Sequence, residues 1–324
     1  MSIKNIIILL IILMPSYTII AQNNILKEID PTELLFKFPS PLIDNAGPDI
    51  PRPKPIIDTF SFKYNFCLND TLVYVLMSRD SITIDYGPPL LKLRYEKIML
   101  TCDSITKNGH FIIKQQLIDF KSKESYLREK NVDRNITPWL NVPVYIEIDT
   151  MGIRYKQYNK DSLTLAMCPG GAFQPFILLH LNYKDSINTK ITGQSWMIID
   201  SGYIYENGNP PPVYRYTLFY RLIGMTDTLD LGKLLKMTFS MTSHSAHKIN
   251  TADIQMLTTS INNAGGEIFW DTTNWIPRYY THTIEQRLTI KEKSEKKERP
   301  GFHYIYSSFI LDKFIRNGKK IIGE

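Results

Sequence analysis

From Asp58 onward the chain alternates apolar and polar residues at the period of a half-buried strand. DTFSFKYNF, TLVYVLM, SITIDY, LLKLRYEKIML and HFIIKQQLIDF follow one another, separated by Ser78-Arg79-Asp80, Gly87-Pro88-Pro89 and Lys107-Asn108-Gly109. Strand-length pieces broken by such turn-formers predict an antiparallel meander. VPVYIEID and IRYKQY flank Asp149-Thr150-Met151-Gly152, a predicted hairpin. Its Asp side chain is suited to accept a bond from the backbone N–H two residues on. Residues 58–158 thus read as a first β region. Residues 159–192 form a connector containing Cys168-Pro169-Gly170-Gly171 and an apolar stretch from Phe173 to Leu181, where Pro175 is placed to start a short helix. A second β region covers 193–290. The mixed-charge run KEKSEKKERP then reads as a solvated linker or protruding turn. It belongs to a tail, 291–324, apolar enough to dock on the body as strand or helix.

The start of the chain has a different texture. Lys4 precedes the unbroken apolar run Ile6–Met14, which Pro15 and Ser16 end. Ala21 is a small residue suited to a cleavage site, so 1–21 reads as a signal peptide and the mature protein as exported, periplasmic or extracellular. The run is too short for a hydrocarbon core of about 30 Å. In the lead-in, 22–57, Asp30-Pro31-Thr32-Glu33 is a helix-start pattern. Pro39, Pro41, Pro48, Pro51, Pro53 and Pro55 then exclude helix and central strand, because proline lacks the N–H donor.

Two stretches of the β regions match in order. Gly87, Pro89, Arg94 and Tyr95 correspond to Gly208, Pro210, Arg215 and Tyr216 at an offset of 121. Ile146–Thr150 corresponds to Ile268–Thr272 at 122, and Asn69–Leu72 to Gly193–Trp196 at 124. An Arg-Tyr pair follows each later hairpin, at Arg154-Tyr155 and Arg278-Tyr279. Collinear matches of this kind point to an internal duplication, with small loop insertions explaining the drift.

The order Asp70-Thr71-Leu72, Arg94-Tyr95, Pro169-Gly170-Gly171-Ala172-Phe173-Gln174-Pro175, Gly193-Gln194-Ser195-Trp196, then a Gly-rich turn and Phe269-Trp270-Asp271 resembles uncharacterised exported bacterial β-rich proteins. Those are similar to the half-barrel class that includes the lipoprotein carrier LolA and mycobacterial LppX. The resemblance implies a curved sheet, lined by apolar residues and partly closed by helices, that holds acyl chains. This chain departs from the class in having two sheet-rich copies and few helices.

Composition adds limits. The 324 residues are 43% hydrophobic and 22% charged, which excludes disorder, and a net charge of +6 gives no case for nucleic acid. Nineteen Tyr and fifteen Phe favour strands. Of the three cysteines, Cys67 and Cys102 fall in predicted neighbouring strands and form the candidate disulfide; three buried free thiols are the alternative. Cys168, twelve residues before His180, is the candidate nucleophile of a secreted hydrolase, but no protease motif surrounds it. His244 and His247 have metal-ligand spacing only on a helix, and their Ser/Thr-rich surroundings favour a surface loop. Asp149 and Asp271, imaginable as a glycosidase pair, are better read as one turn made twice. No cofactor or metal motif is present.

The expected architecture is therefore mainly β: two tandem curved antiparallel units, half-barrel-like, with a few short helices. The leading functional expectation is a non-enzymatic exported binding protein, with an apolar or lipid-like ligand in the concavity and Val73, Val75, Leu93 and Leu218 on the inward face. The alternatives are a structural or assembly component that meets an envelope protein, and the Cys168 hydrolase.

Overall fold

A computed structural model describes residues 58–126, 131–159, 168–169, 174–175, 177–183, 189–203, 213–228, 231–250, 255–292 and 298–323. The signal segment, the Asp30 helix start, the Pro-rich lead-in and the centre of the KEKSEKKERP run lie outside them.

The fold is mainly β, and the described residues contain no helix. The first region supplies β1 (Thr59–Ser61), β2 (Thr71–Ile84), β3 (Leu90–Ile105), β4 (Phe111–Tyr126), β5 (Val132–Arg134), β6 (Pro143–Ile148) and β7 (Arg154–Tyr158). After the connector come β8 (Thr189–Ile191), β9 (Ser195–Tyr203), β10 (Val213–Thr228), β11 (Gly232–Asn250), β12 (Gln255–Asp271), β13 (Ile276–Glu292), β14 (Glu298–Arg316) and β15 (Lys319–Ile322). The short helix expected at Pro175 does not form: Ile177 to Tyr183 run as bends and irregular chain.

The long strands make one antiparallel sheet in the order β7-β6-β4-β3-β2-β14-β13-β12-β11-β10-β9, with β5 and β15 attached at the side and β1 paired separately with β8. The tail is thus a central strand, β14, joining β2 to β13. The sheet does not close into a barrel: its end strands β7 and β9 are not paired to each other.

The sheet is nevertheless strongly curved. Eleven flat strands would hold their edges about 48 Å apart at the usual strand spacing. Here one residue bridges them. Leu181 N–H donates to the Met151 carbonyl in the β6–β7 turn (2.7 Å), and the Leu181 carbonyl accepts the Trp196 indole N–H on β9 (2.9 Å). Side chains from both ends of the sheet, Ile146 and Ile148 on β6 and Ile198 on β9, accordingly belong to one core.

Two irregular segments, 62–66 and 177–181, fill the curve. Phe62 packs against Trp196, Trp270 and Trp275 with ring centroids 5.6–6.3 Å apart, and Phe66 packs edge-on to Phe111 at 5.5 Å. The Tyr64 hydroxyl donates to the Leu179 carbonyl and accepts the Leu179 N–H. Gly152, at φ +77°, allows this closure: a Cβ there would collide with the Leu179 carbonyl.

Candidate functional site

Strand alternation gives the sheet an inner and an outer face. Near the seam, where Leu181 joins the β6–β7 turn to β9, the inner positions are apolar and almost fully buried: Leu72, Tyr74 and Leu76 on β2, Ile98 and Leu100 on β3, Leu218, Tyr220 and Leu222 on β10. Farther along the same strands and in the same phase, the inner positions become polar while staying buried. Ser78 and Asp80 follow on β2, Arg94 and Glu96 on β3, Ser243 and Ser245 on β11, Ser260 and Asn262 on β12, and Gln286 and His303 on β13 and β14. Buried polar groups are the informative exception to ordinary core composition.

Of the four residues expected to face inward, Leu218 does so. Val73, Val75 and Leu93 do not: they alternate with Leu72, Tyr74, Leu76 and Arg94 and lie on the outer face. TLVYVLM is apolar at nearly every position, so local alternation could not choose its face. The polar inner positions were missed for the converse reason, since polar residues within an alternating strand read as solvent-facing. Counting phase along all of β2 and β3 would have found them, because Asp80, Arg94 and Glu96 share the even parity of Leu72 and Leu100.

Arg94 organises the first part of the polar end. Its guanidinium lies 2.8 Å from Asp80 and 3.0 Å from Glu96, and it donates to the Ser78 hydroxyl and the Gln174 side-chain oxygen. Burial acts to raise the Asp80 carboxyl, but Arg94, with His303 and the Ser78 bond, outweighs it and holds the group well below the usual carboxylate range. Beside it, Glu124 is paired with Lys92 (2.9 Å) and Arg134 (2.8 Å), which likewise lower its carboxyl against the opposing effect of burial. On β11 and β12 the lining is uncharged: Ser245 bonds Ser260, and Asn262 donates to Ser243. His303 Nε2 faces the Asp80 carboxylate at 3.8 Å, whereas Asn262 Oδ1 and Thr258 Oγ1 are buried without hydrogen-bond partners. Groups in that condition are places for a water or a polar ligand atom.

A second polar cluster sits at the seam. The His180 Nδ1 is 2.7 Å from the Tyr216 hydroxyl, Tyr216 donates to Asp200 (3.2 Å), and His180 Nε2 meets the Asn182 carbonyl (2.8 Å). Burial lowers the His180 imidazole and raises the Tyr216 phenol. Both imidazole nitrogens are thus occupied in holding the seam together.

The remaining sequence candidates resolve simply. All three cysteines are free thiols, so the Cys67–Cys102 disulfide is not formed. Burial, with Asp70 nearby, pushes the Cys102 thiol up to about 12. Cys168 is fully buried with its sulfur against the Gln157 amide (3.2 Å), which removes the access a nucleophile requires. His244 and His247 lie within β11 rather than in a loop, and a strand does not supply the helical spacing that a shared metal would need. No group of metal-binding side chains occurs among the described residues. Asp149 and Asp271 each accept the N–H two residues on, from Met151 and Thr273, as turn-forming carboxylates do.

Fold and site define a curved antiparallel sheet protein whose inner face passes from an aromatic, covered end to a polar, buried one. No family model and no curated protein matches the sequence. Solved structures show only a distant likeness. One, on lipid–protein interactions in lipovitellin, has a TM-score of 0.42 and 14% identity over 78% of this chain; the match spans 26% of the lipovitellin chain. Another, Salmonella typhi OmpF in complex with daunomycin, has a TM-score of 0.19 and 8% identity over 76% of this chain and 100% of that one. Scores below 0.5 transfer neither fold nor function.

Proposed function

We propose that the chain is an exported, non-enzymatic binding protein that receives an amphiphilic, lipid-like ligand on the inner face of its curved sheet. The supporting observation is the lining itself: one continuous face, apolar near the seam and polar beyond it, with buried atoms lacking hydrogen-bond partners on Asn262 and Thr258. A polar headgroup satisfies those atoms. The apolar tail takes the place now filled by Phe62, Tyr64 and Phe66 and by 177–181. These covers are irregular chain, joined to the β6–β7 turn by Tyr64 N–H to the Thr150 carbonyl and Leu181 N–H to the Met151 carbonyl. Opening them costs far fewer backbone bonds than parting two strands. The fold would then serve as a half-barrel carrier of the class its motifs resemble.

The test is titration of delipidated protein with a fluorescent fatty-acid analogue. Saturable binding is expected, and it should tighten in Phe62→Ala, which weakens the cover. A flat titration in both proteins would end the proposal.

A further inference from the structure

Exposed apolar side chains on the outer face include Phe302 and Tyr304 on β14, whose cross-strand neighbours on β13 are Arg287 and Glu285, charges of both signs; the β9–β10 edge differs in its charges. Met197 and Phe219 are directly paired there, with Ile199 beside Thr217, and they are 53%, 45% and 58% exposed. Arg221 lies on one side of this group, and Arg215 on the other. Among the described residues neither arginine has a carboxylate or hydrogen-bond partner, and the outer positions from Ser195 to Ser201 and from Arg215 to Ile223 carry no acid. The row through Arg215 continues across β11 and β12 to His244, exposed Ile261 and Arg287. The nearest acids of that face are farther in: Glu267, paired with Lys236 (2.8 Å), and Glu285 on β13.

We infer that this edge is a docking surface for an anionic lipid bilayer. Large apolar side chains gain by entering the headgroup boundary, and arginines beside them meet lipid phosphates and anionic headgroups. Scattered single apolar residues on a surface are ordinary; a contiguous group between two unpaired arginines on an acid-free stretch is not. Charge complementarity selects the lipid surface over a second copy of the chain, which would set the same arginines against one another. The inference is independent of any ligand on the inner face.

The experiment is flotation of the full-length protein with vesicles of phosphatidylcholine alone and of phosphatidylcholine mixed with phosphatidylglycerol. Binding is expected only to the anionic vesicles, and it should weaken with salt. Arg215→Glu and Arg221→Glu should each lower the partition coefficient by at least about fivefold, and Phe219→Ser should lower it further. Lys123→Glu, the same charge change on the exposed face of β4, should have little effect. Thermal melts check that each variant folds. Three results would overturn the inference: equal binding to neutral vesicles, an equal loss in Lys123→Glu, or no loss in the Phe219 and arginine variants. A concentration-dependent dimer that Phe219→Ser abolishes, without vesicle binding, would assign the surface to a second copy instead.

Discussion

The turns that lead into β2 and β9 are built alike. In the first, Asn69 N–H donates to the Cys102 carbonyl, Asp70 N–H to Cys67, Cys102 N–H to Asp70, and Cys67 N–H to the Asp70 side chain. In the second, Gly193 N–H donates to Leu222, Gln194 N–H to Ile191, Leu222 N–H to Gln194, and Ile191 N–H to the Gln194 side chain. Asn69 and Gly193 both take positive φ, 65° and 86°. The frame is the same, but the chemistry mounted on it is not. Asp70 is a buried carboxylate clamped by Arg316 (2.6 Å), which ties the tail strand to the turn, whereas Gln194 is neutral. On β3 the inner face carries the Arg94 ion network; on β10 it carries Tyr216, bonded to His180 and Asp200. Backbone geometry therefore recurs between the halves, while each half fills its inner positions for separate ends.

The comparison is broken most forcefully at those inner positions. Arg94→Met leaves Asp80 and Glu96 buried without their guanidinium and should cost about 3–5 kcal/mol in chemical unfolding at neutral pH. Tyr216→Phe, which removes one hydroxyl from the seam, should cost about 1 kcal/mol. Equal costs would mean that the two networks carry equal weight. At the turns, Arg316→Met strips the partner from Asp70 and should cost about 3 kcal/mol, while Gln194→Ala loses one side-chain bond and should cost about 1 kcal/mol.

Acid should separate the halves as well. Burial holds the His282 imidazole on β13 down at about 3, against an ordinary 6.5. Between those values the unfolded chain binds a proton that the folded chain refuses. Stability should therefore fall as pH drops through that window, by about 1.4 kcal/mol per pH unit, and His282→Leu should flatten the slope. The Asp80 carboxyl, depressed in the fold, adds stability above its ordinary 3.8 and loses it only as pH falls below that value. Unfolding midpoints from pH 7 down to 3 would show both.

How much the sequence revealed follows from the range of the interactions. The strands, the Asp149 hairpin and the turn at Asn69 are local, and alternation with turn chemistry disclosed them. The correspondence of Asn69 with Gly193 was also legible. That of Arg94-Tyr95 with Arg215-Tyr216 was misplaced by one residue: Arg94 and Tyr216 point inward, Tyr95 and Arg215 outward. The turn bonds instead pair Cys102 with Leu222, an even offset of 120 that keeps the faces in phase. The central place of β14 was hidden because its two neighbours, β2 and β13, are specified far apart in the chain. The covering of the inner face by 62–66 and 177–181 was hidden for the same reason.

The most direct test of ligand binding beneath a movable cover is amide hydrogen exchange of delipidated protein, with and without a saturating fatty-acid analogue. The account predicts that the Tyr64 and Leu181 amides lose protection when the analogue binds, while the inner-strand amides of β2 and β14 keep theirs. Protection at Tyr64 and Leu181 that is unchanged or increased by bound analogue would contradict it.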